Sequence, residues 1–135
     1  IKERIDFWNE LYPKRIKCPN KEPITIYTDP IALTSIIDNL LENALKYSEK
    51  EVRLHWEKQD DTIVLKIIDY GQGIPQNVQK DIFSMFYRTQ NEEVRQVKGA
   101  GLGLYIVDNL VKELQGTISL KSVKGQTTFT VIIPS

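Results

Sequence analysis

The segment from Asp29 to Ser48 narrows the possible folds most, because it predicts one long helix with a single apolar face. The Asp29 carboxylate is suited to accept an amide hydrogen bond as the N-cap, and Pro30 fits the first helical position. The apolar residues recur at the spacing of one helix face, at Leu33, Ile36, Ile37, Leu40, Leu41 and Ala44. A stripe of this width has to pack against a second layer, so the segment predicts a layered domain.

Pairs of alternating segments supply that second layer. They are Glu51–Glu57 with Thr62–Asp69, and Thr117–Lys121 with Thr127–Ile133. Turns are expected at residues 59–61 and near Gly125, and residues 15–28, with Ile24 and Ile26, predict two further short strands. The order of elements predicts an α+β fold, a two-layer α/β sandwich. Its mixed, mostly antiparallel sheet is covered on one face by helices and exposed on the other.

Three more helices are predicted. One runs from Ile1 to Tyr12 and is closed by Pro13, so residues 1–14 form an N-terminal helical unit. A short helix is expected around residues 78–86, followed by a mobile polar loop at residues 88–98. The last helix follows the segment GAGLGL, with an apolar face of Leu102, Ile106, Val107, Leu110, Val111 and Leu114. Gly116 is placed where a left-handed C-cap glycine is typical.

Composition limits the class of protein. With 135 residues, 18 basic and 18 acidic side chains and a pI near 6.8, the chain predicts one domain without the basic field that nucleic-acid binding needs. Cys18 and His55 are single, so neither an internal disulfide nor a Cys/His zinc site is expected. No apolar run reaches the length of a membrane span. The start at Ile1 rather than Met favours a piece of a longer protein, which we expect in the cytoplasm, on its own or as the cytoplasmic part of a membrane-bound sensor.

Three polar residues interrupt the solvent side of the long helix. Asn39, Asn43 and Lys46 fall within an arc of roughly 60° at 3.6 residues per turn. Asn inside a helix costs up to about 0.7 kcal/mol relative to Ala, so two of them one turn apart point to a function. Amide oxygens beside an ammonium suit a hydrated magnesium ion and its phosphates. From these residues alone an ordinary solvated helix face remains the alternative.

Two glycine-containing motifs are also candidates for ligand binding. In DYGQGI, Asp69 ends a strand and Gly71 and Gly73 allow a tight turn with a close backbone approach, although many ordinary turns share this pattern. The segment GAGLGL precedes a helix whose N-terminal amides favour an anion. It lacks the Gly-Lys-Ser/Thr ending of a P-loop and the spacing of a dinucleotide motif. A hinge and cap for the preceding loop is its structural alternative.

Other kinds of chemistry have less support in the sequence. A nucleophile system of the Ser/His or Cys/His type would depend on His55, which stands in an alternating strand and is expected to pack on a sheet face. The aromatic pair Phe83 and Phe86 is typical of a core, as are Trp8 and Trp56. The acidic residues show no EF-hand spacing.

Taken in order, four segments resemble a known family. NLLENALKYS, DYGQGI, FSMFYR and GAGLGL are similar to the N box, first glycine box, F box and second glycine box of the histidine kinase catalytic domain, in the GHKL ATP-binding superfamily. The resemblance covers Ile24 to Pro134 and implies the Bergerat α/β sandwich. Three positions depart from the family pattern: Tyr70 replaces an Asn, Ala100 replaces a frequent Thr, and the turn at Gly125 is one residue short.

The resemblance implies a role for each matching residue. At the phosphates, Asn43 coordinates Mg²⁺ with Asn39, Lys46 contacts the phosphates, and Arg88 is a partner of the γ-phosphate. At the base, Asp69 accepts the adenine amine, and Thr127 assists there. The other nucleotide contacts implied are Tyr47 beside the base or sugar, Gly71 and Gly73 around the base, and Gly99, Gly101, Leu102 and Gly103 at the phosphates and lid. The ATP lid itself is placed at residues 87–100, anchored by Phe83 and Phe86.

The resemblance also implies how the phosphoryl group is used. ATPases of the superfamily carry a Glu general base at the position of Asn39, and Asn cannot take a proton at neutral pH. The chain is therefore expected to bind Mg-ATP for attack by a His on a separate dimerisation domain, with a response regulator downstream and the isolated piece monomeric. Glu42 points to another side of the helix and is not expected to act as the base. A binding module without phosphotransfer, which Tyr70 favours, and an anti-sigma-type Ser kinase are the alternatives.

Overall fold

The structure is a computed structural model, and it describes residues 2–12, 15–18, 27–48, 50–71, 73–74, 79, 82–83 and 103–134. The helices of this part are α1 (Lys2–Leu11), α2 (Pro30–Tyr47) and α3 (Gly103–Glu113). Its strands are β1 (Ile16–Lys17), β2 (Val52–Gln59), β3 (Thr62–Asp69), β4 (Thr117–Val123) and β5 (Gln126–Pro134). Three sequence predictions lie outside the described residues, wholly or largely: the strand at Ile24 and Ile26, the short helix around residues 78–86 and the loop at residues 88–98.

The strands form one mixed sheet in the order β1-β2-β3-β5-β4. Only the β1–β2 pair is parallel, and the other three pairs are antiparallel. The β2–β3 hairpin turns at Asp60 and Asp61, where Asp60 has a φ of 51°, and the β4–β5 hairpin turns through Gly125 at a φ of 87°. The mixed, mostly antiparallel sheet predicted from the sequence is confirmed.

One face of the sheet carries the core. Alternate residues of the strands meet α2 and α3 there, as the period of two in a strand requires. The buried residues of the two layers include Ile36, Ile37, Leu40, Leu41, Val107, Val111, Leu54, Ile63, Leu65, Ile67, Phe129, Val131 and Ile133. On the other face Arg53 and Lys66 are exposed, and the half-buried His55 lies opposite Lys66 with a buried Nδ1 that has no hydrogen-bond partner. His55 therefore packs on the open sheet face, as predicted.

Both ends of α2 are fixed by side chains. The Asp29 carboxylate accepts from the amides of Ile31 and Ala32 at 2.9 and 3.2 Å, which confirms the predicted N-cap. At the other end the Arg15 guanidinium donates to the carbonyls of Leu45 and Ser48. A cation on the last carbonyls of a helix satisfies groups without helical partners and complements the helix dipole. The helix that carries the candidate residues is thus held at its first and last turns.

A polar cluster fastens α1 to the side of α2. Arg4 donates to both oxygens of the Asp38 carboxylate, at 2.8 and 2.7 Å, and Trp8 Nε1 donates to the same carboxylate at 3.0 Å. Such a bidentate pair fixes direction as well as distance. Because Asp38 immediately precedes Asn39, this cluster lies next to the candidate site.

The end of α3 corrects one prediction. The left-handed residue is Gln115, with a φ of 62°, and not Gly116. The amides of Gln115 and Gly116 donate to the carbonyls of Lys112 and Val111, the paired bonds of a Schellman motif. Gly116 is needed instead for a close approach, because a Cβ there would lie 2.4 Å from the carbonyl oxygen of Ile132.

The apolar face of α3 is partly exposed. Ile106, predicted on the apolar face of α3, is 38% exposed, whereas Val107 and Val111 of that face are fully buried. Among the helices that the structure describes, none combines the length and apolar character required to cross a membrane.

Candidate functional site

Asp69 and Thr127 form the first part of the site. They are direct partners in the pairing of β3 with β5, although 58 positions separate them along the chain. Both are buried on the helix-covered face, with 6% and 2% of their surfaces exposed. Burying a polar side chain costs free energy unless it forms hydrogen bonds. Two such side chains next to each other at the end of a strand are therefore a candidate for ligand recognition. The sequence proposed both residues for the adenine end, and the sheet register brings them side by side.

The Asp69 carboxylate is in an unusual environment. Burial raises its pKa above the ordinary value for aspartate, and the hydrogen bond donated by the Gly71 amide, at 3.0 Å, acts in the opposite direction. The loss of hydration is the larger influence. An acceptor that has lost water and keeps free lone pairs is suited to an amine donor. Gly71, the first glycine of its motif, thus contacts the carboxylate by its own amide.

Gly73 and Ile74 lie against the β4–β5 hairpin. The Ile74 amide donates to Ser122 Oγ at 2.7 Å, and Ser122 Oγ lies 2.8 Å from Thr127 Oγ1. Gly73 has a φ of 87°, and a Cβ on it would lie 2.7 Å from the carbonyl oxygen of Val123. Only glycine fits this position without strain, for its conformation and for its contact. The second glycine of DYGQGI is therefore required by the fold of the site.

The second part of the site begins with Asn39 of α2, whose side chain faces the start of α3. Its Nδ2 donates to the carbonyl of Ser35 at 2.8 Å and to Ser35 Oγ at 3.2 Å. These bonds hold the amide in one orientation and direct Oδ1 toward Gly103, where an added Cβ would be only 3.2 Å away. An amide oxygen thus faces the N-terminal end of a helix, which favours anions. The resemblance placed Asn39 at the magnesium ion and Gly103 at the phosphates, and the structure places the two residues next to each other.

Asn43 and Lys46 continue the same helix face. Asn43 is half-buried, and the Lys46 ammonium forms an ion pair with Glu42 at 3.0 Å. The Lys46 side chain is only 14% exposed, so its charge lies close to the helix surface rather than in open solvent. Glu42 is engaged by this ion pair. The arrangement places two amide side chains and an ammonium on one helix face.

The donor set has a clear preference among metal ions. Within the described part of the chain, no group of three His, Cys, Asp or Glu side chains could hold a metal. Asn39 and Asn43 supply neutral oxygens, which fit Mg²⁺ when substrate phosphates and waters provide the remaining ligands. The residues present therefore fit a metal that arrives with its nucleotide and do not form a resident metal cage.

Several predicted site residues lie outside the described residues. They are Arg88, Gly99, Gly101 and Leu102, together with the lid at residues 87–100. Tyr47 is described as the last residue of α2, and its side chain is not. Phe86 is also outside, whereas its predicted companion Phe83 packs edge-on against Phe129, with ring centroids 6.2 Å apart. The proposed roles of the residues outside this part stay predictions.

The sequence reasoning missed three residues that organise the site. Ser35 lies one helical turn before Asn39, and this spacing was a signal that could have identified it as an amide partner. Arg15 and Ser122 carried no comparable signal, because Arg15 contacts Leu45, 30 positions away, and Ser122 contacts Ile74, 48 positions away, in addition to Thr127 across its own hairpin. They appear only once the sheet is assembled.

Comparison with known proteins identifies the family. The sequence model described as histidine kinase-, DNA gyrase B-, and HSP90-like ATPase matches residues 28–135. The chain therefore belongs to this family of ATPases, and the resemblance to the histidine kinase catalytic domain is confirmed. The fold and the family make it an ATP-binding domain.

Individual relatives are sensor kinases. The chain is 38% identical over 119 residues to the autoinducer 2 sensor kinase/phosphatase LuxQ of Vibrio parahaemolyticus, a match that covers 82% of the chain and 14% of LuxQ. It is 38% identical over 110 residues to the sensor protein kinase WalK of Staphylococcus haemolyticus, covering 77% of the chain and 18% of WalK. The chain thus spans less than a fifth of either relative's length.

Solved structures agree on the fold. The mycobacterial sensor histidine kinase MprB superimposes with a TM-score of 0.80 at 23% identity, over 98% of this chain and 90% of that one. Full-length ShkA in complex with AMPPNP gives a TM-score of 0.80 at 26% identity, over 98% of this chain and 29% of ShkA. The two-layer sandwich predicted from the sequence is confirmed by these neighbours.

Proposed function

We propose that this chain is the catalytic, Mg-ATP-binding domain of a two-component sensor histidine kinase. Asp69 receives the adenine amine with help from Thr127, and Gly71 and Gly73 leave room for the base. Asn39, Asn43 and Lys46 receive the phosphate end. Bound Mg²⁺ would neutralise phosphate charge there, held by Asn43 and Asn39. Arg88, Tyr47, Gly99, Gly101, Leu102 and Gly103 complete the proposed nucleotide contacts.

The chemical identity and anchoring of Asn39 carry this proposal. Its nitrogen is committed to Ser35 and its oxygen faces the start of α3, so the side chain offers a neutral oxygen to Mg²⁺ and does not remove a proton from water. The two nearest carboxylates of the same helix are both in ion pairs, Asp38 with Arg4 and Glu42 with Lys46. A site that holds ATP without a base to activate water favours attack by a nucleophile from another domain.

The nucleophile we propose is a His on a separate dimerisation domain. Its imidazole nitrogen forms a bond to the γ-phosphorus as the bond from that phosphorus to the β,γ-bridging oxygen breaks, and ADP leaves. The phosphoryl group then passes to a response regulator. We take residues 1–135 as one monomeric domain with its lid at residues 87–100, working in the cytoplasm, alone or as the cytoplasmic part of a membrane-bound sensor.

Phosphotransfer from labelled ATP tests this function. The chain is mixed with ATP labelled at the γ-phosphate, Mg²⁺ and each of a panel of His-bearing dimerisation domains. We expect at least one of these domains to acquire an acid-labile, base-stable label, as a phosphorylated imidazole does. The label should disappear when the acceptor His is replaced by Gln or when Asn43→Ala replaces the wild-type chain.

Calorimetric titration with Mg-ATP distinguishes a wrong nucleotide site from a wrong phosphotransfer activity. If the chain binds no ATP, the assignment of the site is wrong. If it binds ATP but labels no acceptor in any pairing, the nucleotide site is supported and the proposed histidine kinase activity is wrong. An acid-stable label on a Ser side chain would favour a Ser kinase of the same superfamily instead.

A further inference from the structure

Ser122 joins three segments at the base end of the site. Its pairing partner across the β4–β5 hairpin is Thr127, whose partner across β5–β3 is Asp69. Residues paired in this way point to the same face, so Asp69, Thr127 and Ser122 form one row across three neighbouring strands. Ser122 also receives the amide of Ile74, directly after the second glycine of DYGQGI. No role for Ser122 follows from the sequence motifs.

The direction of the hydrogen bonds in this row can be worked out. The Ile74 amide is only a donor, so Ser122 Oγ accepts that bond. A hydroxyl that accepts a hydrogen bond becomes a better donor, because successive bonds polarise one another. This favours donation by the Ser122 proton to Thr127 Oγ1, 2.8 Å away. The Thr127 proton is then left for a partner elsewhere in the site.

We infer that Ser122 is a positioning residue for base recognition, acting through Thr127. With its own oxygen satisfied by Ser122, the Thr127 hydroxyl is a donor beside the Asp69 acceptor. Adenine presents an amine donor next to a ring-nitrogen acceptor, which complements this pair. Guanine presents a carbonyl acceptor next to a ring N–H donor. It would place an acceptor against the Asp69 carboxylate and a donor against the Thr127 hydroxyl. The Ser122 hydroxyl would thereby contribute to the choice of ATP over GTP. This inference rests on the proposed function.

The contact of Ser122 with the segment of Gly73 and Ile74 also holds the backbone near the proposed base position. Gly73 lies so close to β4 that its added Cβ would be 3.2 Å from Ser122 Oγ and 2.7 Å from the Val123 carbonyl. The Ser122 hydroxyl therefore lies at the contact between the glycine segment and the hairpin, which it joins through the Ile74 amide. Loss of the hydroxyl would act on the base while leaving the face of α2 unchanged.

Calorimetric affinities for ATP and GTP of four proteins test the inference: the wild type, Ser122→Ala, Thr127→Val and the double variant. One net hydrogen bond corresponds to up to about a tenfold change in affinity. We expect Ser122→Ala to bind ATP about five- to tenfold more weakly with little change for GTP, and the double variant to bind no worse than Thr127→Val. Ser119→Ala, on the same strand but on the open face, is the matched control and should bind as the wild type does.

Other results would overturn the inference. Equal losses for ATP and GTP would mean that Ser122 only supports the fold, and fully additive losses in the double variant would mean that it does not act through Thr127. An unchanged ATP affinity in Ser122→Ala would also exclude the role. If Ser122→Ala is too unstable to titrate, Ser122→Cys tests the same bond at similar volume, and Ser122→Thr should restore selectivity. A wild type that binds no ATP contradicts the proposed function itself and is recognised before any variant is measured.

Discussion

The proposed base end and the proposed phosphate end of the site are built in different ways. Asp69, Thr127 and Ser122 come from three strands and are aligned by the register of the sheet. Asn39, Asn43 and Lys46 come from one helix and are aligned by its turn of 3.6 residues. The first group is held by backbone that cannot shift without breaking strand pairs. The second is a row of side chains on a half-exposed surface.

Under the proposed function, this difference separates recognition from chemistry within one domain. A row of side chains fixed by strand register keeps donors and acceptors in place before the ligand arrives, which is what selectivity between two similar bases requires. Side chains on a helix face can adjust to phosphates whose charge and position change during transfer. Substitutions that strain the backbone at the base end should therefore lower stability, whereas those at the phosphate end should change activity while stability is preserved.

Asn43→Ala is expected to give the largest effect, on phosphotransfer. Removing a proposed metal ligand should lower the transfer rate at least about 100-fold, since even the outer partners of metal sites are worth 10- to 100-fold. ATP binding should also lose its dependence on Mg²⁺, measured by calorimetry with and without chelator. The melting temperature should not fall. Asn109→Ala is the control, because it makes the same change at an exposed Asn of another helix, α3, where the side chain donates to the Tyr105 carbonyl. An Asn43→Ala chain that retains Mg²⁺-dependent binding would contradict the metal assignment.

Asp69→Asn should weaken ATP binding about 10- to 100-fold, the range for a hydrogen bond to a charged group. Because burial raises the pKa of Asp69, the folded state holds its proton more tightly than the unfolded state does. The ionised carboxylate therefore costs stability at neutral pH, a cost that is relieved as the pH falls through the folded-state pKa. The Asn variant should consequently melt no lower than the wild type at pH 7.

The same carboxylate predicts a pH dependence of binding. The wild-type affinity for ATP should begin to fall, on acidification, at a higher pH than an ordinary aspartate would give, because protonation removes the charge that attracts the amine. The ratio of wild-type to Asp69→Asn affinity isolates this effect from protonation of the nucleotide. A ratio that stays constant from neutral pH into the acid range would argue against Asp69 as the acceptor.

Two glycine substitutions compare the ends directly. Gly73→Ala should destabilise the domain by about 2 kcal/mol or more, because a positive φ and a backbone oxygen at 2.7 Å both oppose a side chain. At Gly103, the first residue of α3, φ is not positive and the neighbour of an added Cβ is only the side-chain tip of Asn39 at 3.2 Å. Gly103→Ala should therefore keep the melting temperature and lower phosphotransfer by displacing Asn39. Equal destabilisation by the two substitutions would remove the distinction between the ends.

Ser35→Ala is expected to have the smallest effect. It removes one of the two acceptors of Asn39 Nδ2 and leaves the Ser35 carbonyl in place. A rate of phosphotransfer about two- to fivefold lower, with unchanged stability, corresponds to one partly exposed hydrogen bond. Thr34→Ala, the adjacent position on α2, serves as the comparison and should leave the rate unchanged. A loss as large as that of Asn43→Ala would mean that Ser35 itself contacts the nucleotide.

The two ends also differ in how far the sequence predicted them. The Asn39, Asn43 and Lys46 face follows from residue spacing within one helix, and the cap at Asp29 follows from local chemistry, so both were predictable. Contacts across the sheet were not, since the pairing of Asp69 with Thr127 depends on which residues of distant strands meet. The misplaced left-handed residue at the end of α3 has the same cause. Gly116 is a glycine because β5 passes close to it, and only the assembled sheet shows this.

The cluster of Arg4, Trp8 and Asp38 connects α1 to the part of α2 that carries Asn39. Asp38 and Asn39 are consecutive, about 100° apart around the axis of one rigid helix. The bidentate bond from Arg4 to Asp38 joins α1 to the same turn of α2 from which the Asn39 oxygen faces Gly103. The first helix is therefore connected to the proposed phosphate end through two consecutive residues of α2.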